Sequence, residues 1–436
     1  MKQLKTKYSV LLTLVLITLS IACKHDVEKP ITELHLPDIN ALYENYETLD
    51  SLKAYSGFAN KLVAANEDLQ SSQIYLEAAS LYHQDGKIDK VIELLHRAID
   101  HGMANPKIIL KYEGLNEKLA SSDGIRLERR LDSIHEKLKD VSHFGLEMDS
   151  MNQFWSYFER AQKDPENAKV IFKEFIFEGP RELRDFYVVR YLNLDNMYAQ
   201  IINASPDYYE YLKGQFNPDS LTALKSKTSD WMRKFKEVYP KAVFPKVFVV
   251  PGILNSGGTA TEMGMFVGGD MYGKSDSMPT QGLNDWQKGA IMNFAELPKL
   301  TIHELMHFQQ SYRDTENAET VIGAIIAEGV CDFFVELSSG EELKNENLAY
   351  LEDPDNMVKI LDDLQEDLLT EDNSRWLYNG ESIEDRPHDL GYTLGYLISK
   401  SYYENHKDKQ QAIYELFNTD DFTSILRGSD YAFVLE

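Results

Sequence analysis

Two histidines and a glutamate stand together in "TIHELMHFQQ", residues 301–310. In a helix, residues four apart lie one above the other, so His303 and His307 can face one metal ion from the same side. Glu304, one step round, is placed to reach water held on that ion. The chemistry such a trio offers is hydrolysis by metal-activated water. Apolar neighbours such as Ile302, Leu305 and Met306 can bury the opposite face, and neither Pro nor Gly interrupts the stretch. The pattern is short, so three polar residues that merely share a helix remain an alternative at this point.

A catalytic zinc takes three protein ligands and keeps a further position for water. "AIIAEGVCDFF" (324–334) offers the third ligand in Glu328, far enough beyond His307 for a loop and a second helix running back past the first. Asp332, one turn further on, is placed to accept the N–H of a ligating histidine and so fix its tautomer. Glu328 and Asp332 could instead be surface charges, but Ile325, Ile326, Val330, Phe333 and Phe334 surround them. Cys331 reads as a small buried filler beside this site.

A second stretch, "GGDMYGKS" (268–275), matches the phosphate-loop pattern G-x-x-x-x-G-K-[ST]. That loop needs a helix whose first turn carries the Lys-Ser pair. Here Lys274 and Ser275 are followed by "DSMPTQGLND", with Pro279 and Gly282 and no apolar period. Nucleotide is therefore not expected as a partner.

The spacing E-x-x-x-D after HExxH is similar to the glutamate-zincin (gluzincin) class. Further segments resemble a predicted zinc-dependent protease family of bacteria whose relatives include a gliding-motility lipoprotein. They are "FWSYFERA", "FPKVFVVPGILNSGGTATEMGMFVGGDMYG", "ELPKLTIHELMHFQQ", "AEGVCDFFVEL" and "RPHDLGYTLGYLISKSYYE", spanning about 150 to 405. The resemblance implies that His303, His307 and Glu328 bind Zn2+, that Glu304 is the catalytic carboxylate, and that a peptide is the substrate. A developing oxyanion also needs a donor. "RPHDLGYTLGY" offers His388, Tyr392 and Tyr396, the two tyrosines sharing a helix face; core packing is the alternative for each. The strand "GMFVGGDMYG" is expected at the cleft edge, pairing with extended substrate.

The elements that must position these residues are mostly helical. The expected fold is mainly α with a small β-sheet: a zincin-like domain over 146–436, preceded by a tetratricopeptide-like helical array over 51–145. In "YLEAASLYHQDGKIDKVIELLHRAIDHGMANP" (75–106), Tyr75, Ala79, Tyr82, Leu95 and Ala98 sit where such a repeat packs, Gly86 in its turn and Pro106 at its close. A generic helical hairpin would read the same way. Strands are expected in "AVFPKVFVVPG" (242–252) and "GMFVGGDMYG", with "NSGGTATE" a loop between them.

The 436 residues are 43% hydrophobic, enough for a sizeable core. A net charge of −26 argues against nucleic acid as a partner. Residues 1–22 read as a signal peptide: Lys2, Lys5 and Lys7, then the apolar run "VLLTLVLITL". "SIAC" resembles a lipoprotein lipobox ending at Cys23, the expected lipidation site, although Ser20 stands where leucine is usual. An ordinary cleaved signal is the alternative. Residues 23–50 then form a tether, and the chain belongs in the bacterial cell envelope. "KHD" after Cys23 lacks the aspartate associated with inner-membrane retention, which favours the outer membrane. With Cys23 acylated, Cys331 has no partner for a disulfide.

The expectation is thus a membrane-anchored zinc metallopeptidase, with the helical region recruiting protein partners or substrates. The alternative is a non-catalytic envelope lipoprotein using both regions as an assembly module.

Overall fold

The computed structural model describes residues 29–44, 46–48, 53–312, 315–379 and 386–435. Cys23 and the signal segment lie outside the described residues. Helices dominate, and four strands form one sheet: β1 (Leu146–Glu147), β2 (Val247–Val250), β3 (Gly258–Thr261) and β4 (Gly264–Gly268). Their order is β1-β2-β4-β3, with β1, β2 and β4 parallel and β3 antiparallel to β4. Among the described residues, no helix is long and apolar enough to cross a membrane.

The sheet departs from the sequence expectation in one respect that matters for the site. "GMFVG" is an inner strand, buried throughout between β2 and β3, so it cannot pair with a substrate. The edge strand is β3, formed by "GTAT" inside the segment read as a loop. Gly-Thr-Ala-Thr has little β preference of its own; pairing with β4 makes it a strand.

The loop from β2 to β3 is clamped by Asp270, which lies within the phosphate-loop look-alike. Its buried carboxylate accepts from Gly252 N at 2.9 Å, from Leu254 N, and from Tyr209 Oη at 3.3 Å. Burial pushes its pKa up to about 6, against the pull of these donors. No helix starts at Lys274; the next one runs from Asp285 to Ala290. The strand–loop–helix geometry that a phosphate requires is therefore not formed.

In the N-terminal region, helices Tyr55–Ala65, Ser72–Gln84 and Ile88–Asp100 pack in succession. Tyr75, Ala79, Tyr82, Leu95 and Ala98 are all buried, and Gly86 takes φ +66° in the turn. Beyond Asp100 the chain runs through 3-10 turns before the helix Ser122–Leu138.

Among the places where this region is fastened to the rest of the molecule, two are built on carboxylates. Asp185 is fully buried and accepts from Ser72 N at 2.7 Å and from the hydroxyls of Ser71 and Ser72. It thereby caps the N-terminus of the Ser72–Gln84 helix from a distant element; a side-chain cap typically contributes about 1 kcal/mol. At the second place, Ala104 N donates to Glu262 O at 2.7 Å in the β3–β4 turn, and Asn105 and Lys111 hold the Glu262 carboxylate. One hydrophobic cluster runs through both regions.

Part of the segment expected as a tether over 23–50 is docked. Ile39 and Leu42 are buried, Ile39 N donates to Leu192 O at 2.8 Å, and Tyr187 Oη donates to Pro37 O at 2.7 Å. The two apolar side chains give this segment a reason to dock.

Three helices of the second region carry the candidate chemistry: Leu297–His307, Val321–Ser339 and Leu390–Asn405. The last two cross at glycines. A Cβ on Gly329 would lie 1.9 Å from Gly395 C, and one on Gly395 would lie 1.7 Å from Ile325 O. Only hydrogen fits at that crossing.

Candidate metal centre

The helix Leu297–His307 begins with Pro298 in its first turn, where a missing N–H costs nothing, and buries Ile302, Leu305 and Met306. That burial turns His303 and Glu304 toward a cavity of about 880 Å³. His307, one turn beyond His303, also lines it, as do Glu328 and Asp332 from the second helix.

The hydrogen bonds orient both imidazoles. His303 Nδ1 lies 2.8 Å from Asp332 Oδ1, and His307 Nδ1 lies 3.0 Å from Gln310 Oε1. Carboxylate and amide oxygens only accept, so each Nδ1 is the N–H donor, and in the neutral imidazole each Nε2 is the atom left with a lone pair. Both Nε2 atoms converge on one oxygen: Glu328 Oε2 is 3.1 Å from that of His303 and 3.5 Å from that of His307. With neutral imidazoles these three acceptors repel, and a bound cation, or a proton shared with Glu328, relieves that repulsion. Ligands bound to tetrahedral zinc at about 2.0–2.2 Å sit roughly 3.3 Å apart, and both imidazole–carboxylate separations match that spacing.

The electrostatics point the same way. Burial disfavours charge on His303, yet Asp332 and Glu328 hold its pKa well above the ordinary histidine value. His307 is also held high against burial; with the Cys331 thiol neutral, the charge that does this is that of Glu328. Burial pushes Glu328 up, but the two imidazoles pull it well below the usual carboxylate range. The surroundings are built to hold positive charge.

Cys331 deserves a place in the donor inventory, because its Sγ lies within 4.8 Å of donor atoms of both histidines. Its geometry differs from that of Glu328. The sulfur is 3.6 Å from His307 Nδ1 and 3.8 Å from Nε2, so it sits beside the ring rather than ahead of Nε2. Gln310 Nε2 donates to it at 3.3 Å, and burial pushes the thiol up to about 11. Glu328 is the nearer donor to both Nε2 atoms.

Glu304 lies against the edge strand. A Cβ on Gly258 of β3 would come within 2.6 Å of Glu304 Oε1, so glycine leaves the space that this carboxylate occupies.

The three oxyanion candidates separate. Tyr392 lines the cavity, its ring centroid 6.1 Å from that of His303. Tyr396 does not. It donates to Glu336 and receives a hydrogen bond from Lys400 Nζ at 3.1 Å, with a pKa raised to about 12 by burial and Glu336. One helical turn advances about 5.4 Å, which carries Tyr396 past the cavity even though it shares a face with Tyr392. His388 precedes the helix, is exposed, and is absent from the cavity lining.

Sequence reasoning missed Tyr378, whose hydroxyl donates to Glu328 Oε1 at 2.7 Å and whose ring lies 6.1 Å from Tyr392. It takes φ +57°, a sparsely populated conformation for a bulky residue. Its segment, "WLYNG", has no spacing that ties it to the histidines. Gln310 was also missed, although its position three residues after His307 was a usable signal.

Residues 287–422 match the model of a family described as Predicted Zn-dependent protease (DUF2268). The match takes in all three site helices and leaves the sheet and the N-terminal helices outside it. At that level the chain is similar to a predicted zinc-dependent protease, which implies a peptide substrate. No curated protein and no solved structure matches the chain.

Proposed function

We propose that this protein is a zinc metallopeptidase in which His303, His307 and Glu328 hold the ion and Glu304 is the general base. The observation that carries the reading is the convergence of two Nε2 lone pairs on Glu328 Oε2, with both Nδ1 atoms committed elsewhere. When bound, zinc acidifies water and polarises a carbonyl. Glu304 takes the proton of the attacking water and returns it to the leaving amine. Asp332 keeps His303 in the ligating tautomer and steadies it.

Tyr392 is the donor we assign to the oxyanion, with Tyr378 beside it donating to Glu328. Burial and the charge of Glu328 push both hydroxyls well above the usual phenol range, so they stay protonated and able to donate. The last strand in the sheet order, β3, contributes Gly258, Thr259 and Ala260 to the cavity wall, which suits pairing with an extended peptide.

Metal analysis of the purified full chain should return one zinc per chain, lost in His303→Ala. Digestion of a peptide library should be abolished by a chelator. A wild-type chain that takes up no zinc would sink the reading.

We also place the chain in the cell envelope on a lipid at Cys23, with the tetratricopeptide-like region available to partners and a relation to the gliding-motility lipoproteins. That part rests on sequence alone. Mass spectrometry of the Cys23 peptide from membranes tests it, and an unmodified or cleaved-away cysteine would contradict it.

A further inference from the structure

The cavity has a polar feature that the hydrolytic chemistry leaves unused. Arg190 is the single lysine or arginine among the described residues that line it, against four carboxylates: Glu304, Glu328, Asp332 and Asp389. Its backbone belongs to a π-helical turn, Tyr187–Tyr191, a rare conformation found mostly at functional places. Asn255 Nδ2 donates to Arg190 O at 3.1 Å and ties that turn to the loop before β3.

The side chain is fixed near its root. Arg190 Nε donates to Thr259 Oγ1 at 2.7 Å, and Thr259 follows Gly258, the residue against which Glu304 lies. Anchoring through Nε leaves the two Nη groups for the cavity. Among the described residues no carboxylate pairs with the guanidinium, and the one charge it senses is Glu304, at longer range. Burial works against its charge. Holding a half-buried guanidinium without a counter-ion costs solvation free energy. In a chain of net charge −26, carboxylates are plentiful, yet among the described residues none is placed on this cation.

We propose that Arg190 binds a carboxylate of the substrate and so selects peptides that present a negative group at a fixed distance from the scissile bond. The planar guanidinium offers two parallel N–H donors that match a carboxylate in a way an ammonium does not. The overall negative charge of the protein repels acidic peptides at long range, so recognition of one must come from a local cation. The carboxylate is either the C-terminus of the peptide, giving a cut a fixed few residues from the end, or an acidic side chain, giving an internal cut in register with it. The proposal rests on the peptidase reading for the reaction but not for the binding.

The test uses three matched, N-acetylated hexapeptides: a neutral sequence with a free C-terminal acid, its amide, and the amide with one internal glutamate. Binding is measured by calorimetry on the zinc-loaded Glu304→Gln chain, so the readout does not depend on turnover. One carboxylate-bearing peptide should bind roughly ten- to a hundredfold more tightly than the neutral amide, the scale of a charge-assisted hydrogen-bonded pair. Which of the two it is identifies the source of the carboxylate. Adding Arg190→Met should collapse that ratio towards one, and Arg190→Lys should restore part of it. In the wild-type chain the same preference should appear mainly in KM.

Equal binding of all three peptides, or a preference that survives Arg190→Met, overturns the proposal. A charge that merely companions Glu304 would instead lower kcat for all three peptides alike, which also overturns it. Selective binding without cleavage by the wild-type chain would uphold Arg190 and count against the peptidase reading alone.

Discussion

One wall of the cleft is made of three packed helices, Leu297–His307, Val321–Ser339 and Leu390–Asn405, two of them locked at glycines with no room for a Cβ. The other is made of edges: β3 at the end of the sheet, the π-helical turn carrying Arg190, and the loop clamped by Asp270. In the first wall the side chains of His303, His307 and Glu328 are largely withdrawn from solvent, and both Nδ1 atoms are committed. In the second, the residues of β3 are partly exposed or exposed. A metal site tolerates little error in ligand position, so it is built where packing allows one arrangement. A peptide needs unpaired backbone groups, so it is met where the sheet ends.

This contrast can be broken one wall at a time. Gly395→Leu should do the most damage, because the new side chain meets backbone atoms of the neighbouring helix that cannot turn aside. A loss of about 4 kcal/mol or more is expected, read as collapse of the thermal transition. A variant that melts with the wild type would contradict the close crossing. Asp332→Ala should leave the fold intact and weaken zinc about 10- to 100-fold, since His303 loses the acceptor that fixes its tautomer. Unchanged zinc affinity by competition with a chromophoric chelator would remove Asp332 from its assigned role.

Gly258→Ala addresses the junction of the two walls. Its methyl would first meet the flexible side chain of Glu304, so stability and zinc content should hold while kcat falls about tenfold. Full activity there would mean that the carboxylate position seen against β3 is not the working one. The smallest effect is expected from Glu262→Ala, which frees the β3–β4 turn from Asn105 and Lys111 but keeps the backbone bond from Ala104. A rise in KM of about twofold is anticipated, as partly exposed pairs contribute little. The same contacts bear on the helical region: removing residues 30–140 would also strip these supports from β3.

The helical wall was largely legible in the sequence because its information is local. His303 and His307 sit one turn apart on one helix, Glu328 and Asp332 one turn apart on another, and such spacings survive any tertiary arrangement. Helix periodicity says which residues share a face but not where along its axis the helix meets its neighbour. That is why Tyr392 reached the cavity, Tyr396 went to Glu336 and Lys400, and His388 stayed outside. The strand wall was scarcely legible. Gly258 matters through Glu304, Arg190 through Thr259, and Tyr378 through Glu328, each partner dozens of residues away. Nothing in "GTAT" or "WLYNG" marks those meetings.

The most direct test of the central claim compares zinc content and peptide turnover in the wild-type chain and in Glu304→Gln. The account predicts one zinc per chain in both, with kcat in the variant lower by about a thousandfold, within the range of general-base catalysis. Wild-type turnover by the zinc-loaded variant would contradict it.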